Sequence, residues 1–215
     1  MRHMLTKALK RGPLYHAFRN VLQKRRQVRD LQEWEQKGRP YPPPHLVKQR
    51  VLRTYAQEYQ LKVLVETGTY LGDMVEAMKG SFEKIYSIEL SDGLFRLAQQ
   101  RFAGVRHVEI THGDSGIELV KVVKTIEQPA LFWLDGHYSG GITACGDKAS
   151  PIYEELRHIL EARDYGHVII IDDARCFGAM PGYPTIDDLE RYILSHRDNL
   201  DIVVRDDIIR VTPRR

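Results

Sequence analysis

Val65-Glu66-Thr67-Gly68-Thr69-Tyr70-Leu71-Gly72 is the stretch whose reading decides the fold. It joins a short apolar run, Leu61–Glu66, to an amphipathic stretch, Asp73–Lys79, and so reads as the turn between a strand and a helix. Glycine at such a turn lets the backbone bend sharply and approach a ligand with no side chain in the way. The residues Glu66, Thr67, Gly68, Thr69, Tyr70 and Gly72 are therefore cofactor-binding candidates, with Glu66 at the strand tip placed to accept from an ammonium group. The spacing is not the G-x-G-x-x-G that cradles a pyrophosphate, which argues against NAD or FAD. A glycine turn of this kind also occurs with a purely structural role.

Outward from this turn, short apolar runs alternate with amphipathic helical stretches, the pattern of βαβ units and a parallel sheet. Strands are expected at Leu61–Glu66, Lys84–Glu89, His107–Thr111, Ala130–Leu134 and His167–Ile171. Helices are expected near Asp73–Lys79, Ser91–Phe102, Ser115–Lys124, Ile152–Ala162 and Thr185–Ser195. The chain then changes style. Leu200–Arg205 and Asp207–Thr212 are β-rich runs joined by an acidic turn, too close for a crossover helix, and read as an antiparallel hairpin. A dinucleotide-binding dehydrogenase continues with parallel strands instead. Toward the N-terminus, Pro13–Lys37 and His45–Tyr59 read as helices separated by Gly38 and a proline-rich linker, Arg39–Pro44. The expected organisation is a helical extension or lid, residues 1–60, and an α/β domain, residues 61–215.

The second and third strands carry further candidates. Glu89, followed by Leu90, ends strand two and lies 21 residues after Gly68, where an acid can accept both hydroxyls of a ribose. Its bland reading is a solvent-facing acid before a helix start. Asp114 and Ser115 follow strand three. Asp114 suits either a helix cap or acceptance from an adenine amino group, and Ser115 is available for the same contacts.

The fourth and fifth strands end in acids: Asp135 after Leu134, and Asp172-Asp173 after Ile171. Ligands in open α/β sheets bind beyond the carboxyl ends of the strands. Three carboxylates converging there repel unless a positive charge sits among them. Mg²⁺ takes oxygen ligands and suits Asp135, Asp172 and Asp173; Arg175 or Lys148 is the alternative neutraliser. His137, two residues past Asp135, has the unperturbed pKa of a general base. The glycine-rich run 140–147 reads as a flap over an acceptor site or as a plain surface connection. A zinc site using Cys145, Cys176 and His137 lacks the paired-cysteine spacing.

Together these motifs resemble the class I S-adenosylmethionine-dependent methyltransferases, whose Rossmann-like sheet is mostly parallel and closes with an antiparallel hairpin. The resemblance spans about Leu61 to Thr212 and is strongest toward the metal-dependent sugar O-methyltransferases of macrolide and aminocoumarin biosynthesis. It rests on the glycine motif from Glu66 to Gly72, on Glu89 and Asp114, on Leu134-Asp135-Gly136-His137 and on Ile171-Asp172-Asp173. It implies S-adenosylmethionine as cofactor and Mg²⁺ on Asp135, Asp172 and Asp173. It also implies O-methylation of a sugar or other small-molecule hydroxyl, with Asp135 and His137 as catalytic candidates. Some of those relatives carry an aspartate where this chain has His137.

Composition is that of a globular protein. Charge is not evenly spread. Up to Arg53 there are 14 Lys and Arg against 3 Asp and Glu, a net of +11, and the rest carries 18 against 26, a net of −8. A basic arm on an acidic domain points to a peripheral contact with an anionic membrane surface, to nucleic acid less readily, or to a solvated helix face. Met1–Arg11 lacks the continuous apolar stretch of a secretory signal, so the cytoplasm is the expected compartment, and a homo-oligomer is compatible with the arm. Two readings compete with a methyltransferase: an NAD-linked oxidoreductase, and a non-catalytic binding protein that keeps the cofactor fold.

Overall fold

The structure, a computed structural model, describes residues 13–136 and 150–214, with side chains from residue 25 onward. The chain divides into two compact units, Met1–Arg50 and Val51–Arg215. In the first, helix α1 (Pro13–Gln36) ends before Gly38 and Arg39, both at positive φ. The indole of Trp34 caps that exit by donating to the Pro40 carbonyl at 2.6 Å. Helix α2 (His45–Glu58) crosses the division between the units. None of the described helices is long and apolar enough to cross a membrane.

The second unit alternates β1 (Val63–Thr67), α3 (Asp73–Met78), β2 (Lys84–Glu89), α4 (Asp92–Phe102), β3 (Val108–His112), α5 (Ser115–Val123), β4 (Ala130–Leu134), α6 (Ile152–Leu160) and β5 (Val168–Ile171). A 3₁₀ turn (Ala174–Cys176), α7 (Ile186–His196) and the hairpin β6 (Leu200–Arg205) and β7 (Ile208–Pro213) complete it. The seven strands lie in the order β3-β2-β1-β4-β5-β7-β6. Strands β1 to β5 are parallel, and β7 joins antiparallel between β5 and β6. This is the expected Rossmann-like methyltransferase sheet with its closing hairpin.

Strand side chains alternate between two cores because successive Cβ atoms point to opposite faces. Val63, Val65, Phe132, Leu134, Ile169, Ile171, Ile209 and Val211 pack with α5, α6 and α7. Leu64, Leu131, Trp133, Val168, Ile170 and Ile208 pack with the α2 residues Leu52 and Ala56, and with α3 and α4. Burial on both faces is why β1, β4 and β5 read as continuous apolar runs.

Most element ends differ from the sequence reading by a residue or two: β5 starts at Val168, β7 runs on to Pro213 and α6 stops at Leu160, and three strand boundaries show the causes or the extent. Strand β1 starts at Val63 and takes in Thr67, since Gln60 turns at φ 55 and the Leu61 N–H still bonds to Ala56 of the preceding helix. Strand β3 runs from Val108 through His112. Asp207 belongs to the turn, not to β7: Asp206 and Asp207 both have positive φ, 51° and 61°, and close a two-residue hairpin loop. Two positive φ values give that loop the twist of the flanking strands.

Candidate active site

The chain runs from β1 outward to β2 and β3, then returns to β4 and β5 on the other side of β1. The crevice between the carboxyl ends of β1 and β4 is thus the topological switch point, where ligands of such sheets bind. Register places Thr67 beside Leu134 and Leu134 beside Ile171, so Gly68, Asp135 and Asp172 leave the sheet at one level. The Asp135 N–H donates to Thr67 O and the Asp172 N–H to Leu134 O, each at 3.1 Å, carrying the ladder one step past the strands.

Gly68 is required by this geometry. Its φ is +83°, and a Cβ there would lie 2.4 Å from the Asp135 carbonyl oxygen. The turn is pinned from outside as well: Arg101 Nη1 donates to Leu71 O at 2.5 Å and to Asp73 Oδ1 at 2.8 Å. Within it, Glu89 Oε2 accepts from the Tyr70 N–H at 2.8 Å and Oε1 from the Ser91 N–H at 2.9 Å. Glu89 is therefore not a loose solvent-facing acid. It is buried, and both carboxylate oxygens are oriented by backbone.

Glu66 is 1% exposed, and burial pushes its carboxyl up to about 8. A hydrogen bond from Ser87 opposes that rise, and the charges of Asp135 and Glu89 add to it. The Ser87 hydroxyl donates to Glu66 Oε2 at 2.5 Å and lies 2.6 Å from Thr69 Oγ1, so the three residues form one buried chain. Asp114 caps α5 by accepting from the Gly116 N–H at 2.8 Å, realising the capping role. Ser115 is buried beside Gly136, whose Cβ position lies 3.1 Å from Ser115 Oγ.

At the far side of the crevice Asp135, Asp172 and Asp173 each offer a carboxylate oxygen, all within 4.8 Å of one another. Asp172 is fully buried. The donors are hard oxygens, the kind Mg²⁺ prefers. Arg175 bears on the same group. Its Nη1 donates to Asp173 Oδ1 at 2.7 Å and also to Asp207 Oδ2, and its backbone N–H donates to Asp207 Oδ1 at 2.7 Å. Burial works to lower the guanidinium pKa, but the hydrogen bonds and charges of Asp173 and Asp207 outweigh it and raise it. Arg175 thus neutralises one corner of the trio from the side, through the hairpin turn.

Sequence reasoning missed four participants. Ser87 and Asp207 act through tertiary register that no local pattern carries. Glu155 is 2% exposed, and its Oε1 lies 3.1 Å from the Gly136 Cβ position. It sits with Ile152, Leu156 and Ile159 on the buried face of α6, and an acid on an apolar helix stripe is the signal that would have found it. Tyr183 packs edge-to-face on Phe177 at 5.4 Å. Burial first, then the nearby Cys176, Asp173 and Asp135, push its hydroxyl pKa upward. The candidates His137, Lys148 and Cys145 and the run 140–147 lie outside the described residues, and Cys176 is a buried free thiol.

Fold and site position together define the class: the chain has the Rossmann-like fold of class I S-adenosylmethionine-dependent methyltransferases. Among solved structures it is similar to the O-methyltransferase TomG of Streptomyces achromogenes, involved in tomaymycin synthesis and solved with S-adenosylmethionine, at 16% identity, TM-score 0.58, covering 88% of this chain and 89% of that one. An O-methyltransferase from Bacillus cereus, solved with S-adenosylhomocysteine, matches at 13% identity and TM-score 0.58 over 87% and 90% of the two chains. The S-adenosylhomocysteine-bound methyltransferase PaMTH1 of Podospora anserina matches at 16% and 0.55 over 86% and 87%. At such identities the likeness is one of fold. No protein-family profile and no curated protein sequence matches the chain.

Proposed function

We propose that this protein is an S-adenosylmethionine-dependent O-methyltransferase acting on a hydroxyl of a small molecule or glycoconjugate, a sugar in particular, with help from a divalent metal. The observation that carries the reading is the pairing of two features across one crevice. A glycine turn with two oriented acids, Glu66 and Glu89, faces an oxygen-donor trio, Asp135, Asp172 and Asp173. The neighbours solved with S-adenosylmethionine or S-adenosylhomocysteine share the sheet that presents these ends.

In this reading Glu89 holds the ribose hydroxyls on the lone pairs left by Tyr70 and Ser91, and Glu66 faces the cofactor's ammonium. Thr67, Thr69, Tyr70 and Gly72 shape the turn that admits the methionine part, and Leu90, Asp114 and Ser115 line the adenine side. The cofactor supplies an electrophilic methyl group. Asp135, Asp172 and Asp173 hold Mg²⁺, which when bound lowers the pKa of the acceptor hydroxyl and fixes its place. Asp135, shared by both ends of the crevice, sets the acceptor against the methyl, and His137 takes the hydroxyl proton as general base.

The basic segment up to Arg53 belongs to the same proposal as a lid or as a peripheral contact with an anionic membrane surface. A second reading draws on Arg175. By neutralising Asp173 it favours a metal-independent site, or a binding protein that keeps the cofactor pocket without turnover. The test is methyl transfer from labelled S-adenosylmethionine to a panel of sugar and glycoconjugate hydroxyls, with Mg²⁺ or with EDTA. Transfer that requires Mg²⁺ and is lost in Asp172→Asn supports the proposal. Transfer indifferent to EDTA removes the metal, and cofactor binding with no transfer to any acceptor favours the binding protein.

A further inference from the structure

The sheet is closed on neither side, and its β6 edge is built in a way that a second copy of the same strand completes. Strand β6 pairs with β7 alone among the described residues, in an unbroken register from Leu200↔Pro213 to Arg205↔Ile208. Because a two-residue loop closes this hairpin, Arg205 and Ile208 exchange both backbone hydrogen bonds, and the pattern then alternates. Val203 and Asp201 bond inward to β7, while Ile202 and Val204 turn their N–H and C=O groups outward. The other side of β7 agrees: Asp207 O accepts from Ala174 N, and Ile209 and Val211 stand opposite β5.

Of the features that blunt an edge strand, this one carries only two charges, Asp201 and Arg205, and a modest length of six residues. It has no proline, lysine or bulge, and two β-branched residues stand open, Val203 at 54% and Val204 at 45% exposure. Its sequence, Leu-Asp-Ile-Val-Val-Arg, is self-complementary about Val203. An antiparallel copy centred there sets Ile202 against Val204 of the other copy, which is where both strands offer outward backbone groups. Val203 then meets Val203 as a non-hydrogen-bonded pair, where side chains approach most closely. The same register places Asp201 opposite Arg205 of the second copy, twice by symmetry. In the single chain Asp201 pairs with the exposed Arg214 at 3.1 Å and the exposed Arg205 with the half-buried Asp206 at 3.4 Å, and pairs whose partners reach solvent rearrange at little cost.

We propose that β6 is the seam of a homodimer in which two sheets join edge to edge across a two-fold axis at Val203. The occupant of this edge is a second copy of the chain, since hydrogen-bond phase, apolar pairs and charge pairs coincide only in the self-paired register. The interface is isologous, so it closes at two copies and does not run on into a fibre.

The experiment is sedimentation velocity of the full chain over a concentration series, beside four variants. Val203→Arg sets like charges against each other at the axis, and Val204→Pro removes an outward N–H while sparing every bond to β7. Both positions are exposed, so the folded chain keeps the circular dichroism of the parent. The parent dimerises, and each of these variants weakens the dimer about tenfold or more. Asp201→Lys weakens it too, and Asp201→Lys combined with Arg205→Glu restores it. A parent that stays monomeric at every concentration overturns the proposal. So does a dimer that Val203→Arg and Val204→Pro leave unchanged.

Discussion

Ser87 stands opposite Glu66 in the parallel register of β2 and β1, and its hydroxyl donates to the Glu66 carboxyl at 2.5 Å inside the sheet. The pair places an acid whose pKa is raised to about 8, chiefly by burial, at the floor of the cofactor crevice. Its folded pKa lies above the ordinary carboxylate value, so the stability it contributes is full below that value and is lost as pH rises through about 8. A cationic ligand reverses the preference by favouring the carboxylate.

Binding of S-adenosylhomocysteine near neutral pH is therefore expected to release about one proton from Glu66. Calorimetry in two buffers of different ionisation enthalpy measures it. Ser87→Ala removes the bond that stabilises the carboxylate and weakens binding several-fold at neutral pH, with less effect above the Glu66 pKa. Binding with no proton release counts against an ammonium contact at Glu66.

Gly68→Ala is expected to destabilise the fold by about 1–3 kcal/mol through its left-handed backbone, and by more through the overlap with Asp135 O. Gly104→Ala, where an added Cβ meets nothing within 4 Å, is the control and stays near neutral. Urea denaturation of both separates the two outcomes.

His167 is buried between Phe132 and Tyr165, and its Nδ1 accepts from the Ala130 N–H at 3.2 Å. Burial first, then Arg197, lowers its pKa from 6.5 to about 4. The folded value is depressed, so the unfolded chain binds more protons between the two values. The stability His167 contributes is present above 6.5 and falls away as pH drops toward about 4. His167→Gln flattens that part of the stability–pH curve; an unchanged slope contradicts the assignment.

Arg175 couples the hairpin turn to the acidic trio. Arg175→Gln leaves the buried Asp207 with weaker partners and is expected to cost about 1–3 kcal/mol, read by thermal or urea unfolding. The same change frees Asp173, so the proposed Mg²⁺ site tightens several-fold in a calorimetric titration, whereas Asp172→Asn abolishes it. Equal Mg²⁺ affinity in parent and Arg175→Gln would show that the guanidinium and the ion do not compete for Asp173.

Strands β2, β4 and β6 begin and end where the sequence reading sets them. Boundaries slipped where one backbone angle decides, as at Gln60 and Asp207. Acids at strand ends were legible because parallel sheets expose those ends in order. The partners that tune them were not. Ser87 reaches Glu66 across 21 residues and Asp207 reaches Arg175 across 32, and separations of that kind carry no periodic trace. Glu155 was legible in principle, as the one charge on the apolar stripe of Ile152, Leu156 and Ile159.

The central claim is that the β1 turn and the end of β2 bind S-adenosylmethionine. Calorimetric titration of S-adenosylmethionine and S-adenosylhomocysteine into the full chain, with Glu89→Ala beside it, tests this most directly. Saturable binding of either compound, weakened at least about tenfold by loss of the oriented Glu89 carboxylate, is the result expected. No binding of either, or binding that Glu89→Ala leaves unchanged, would contradict it.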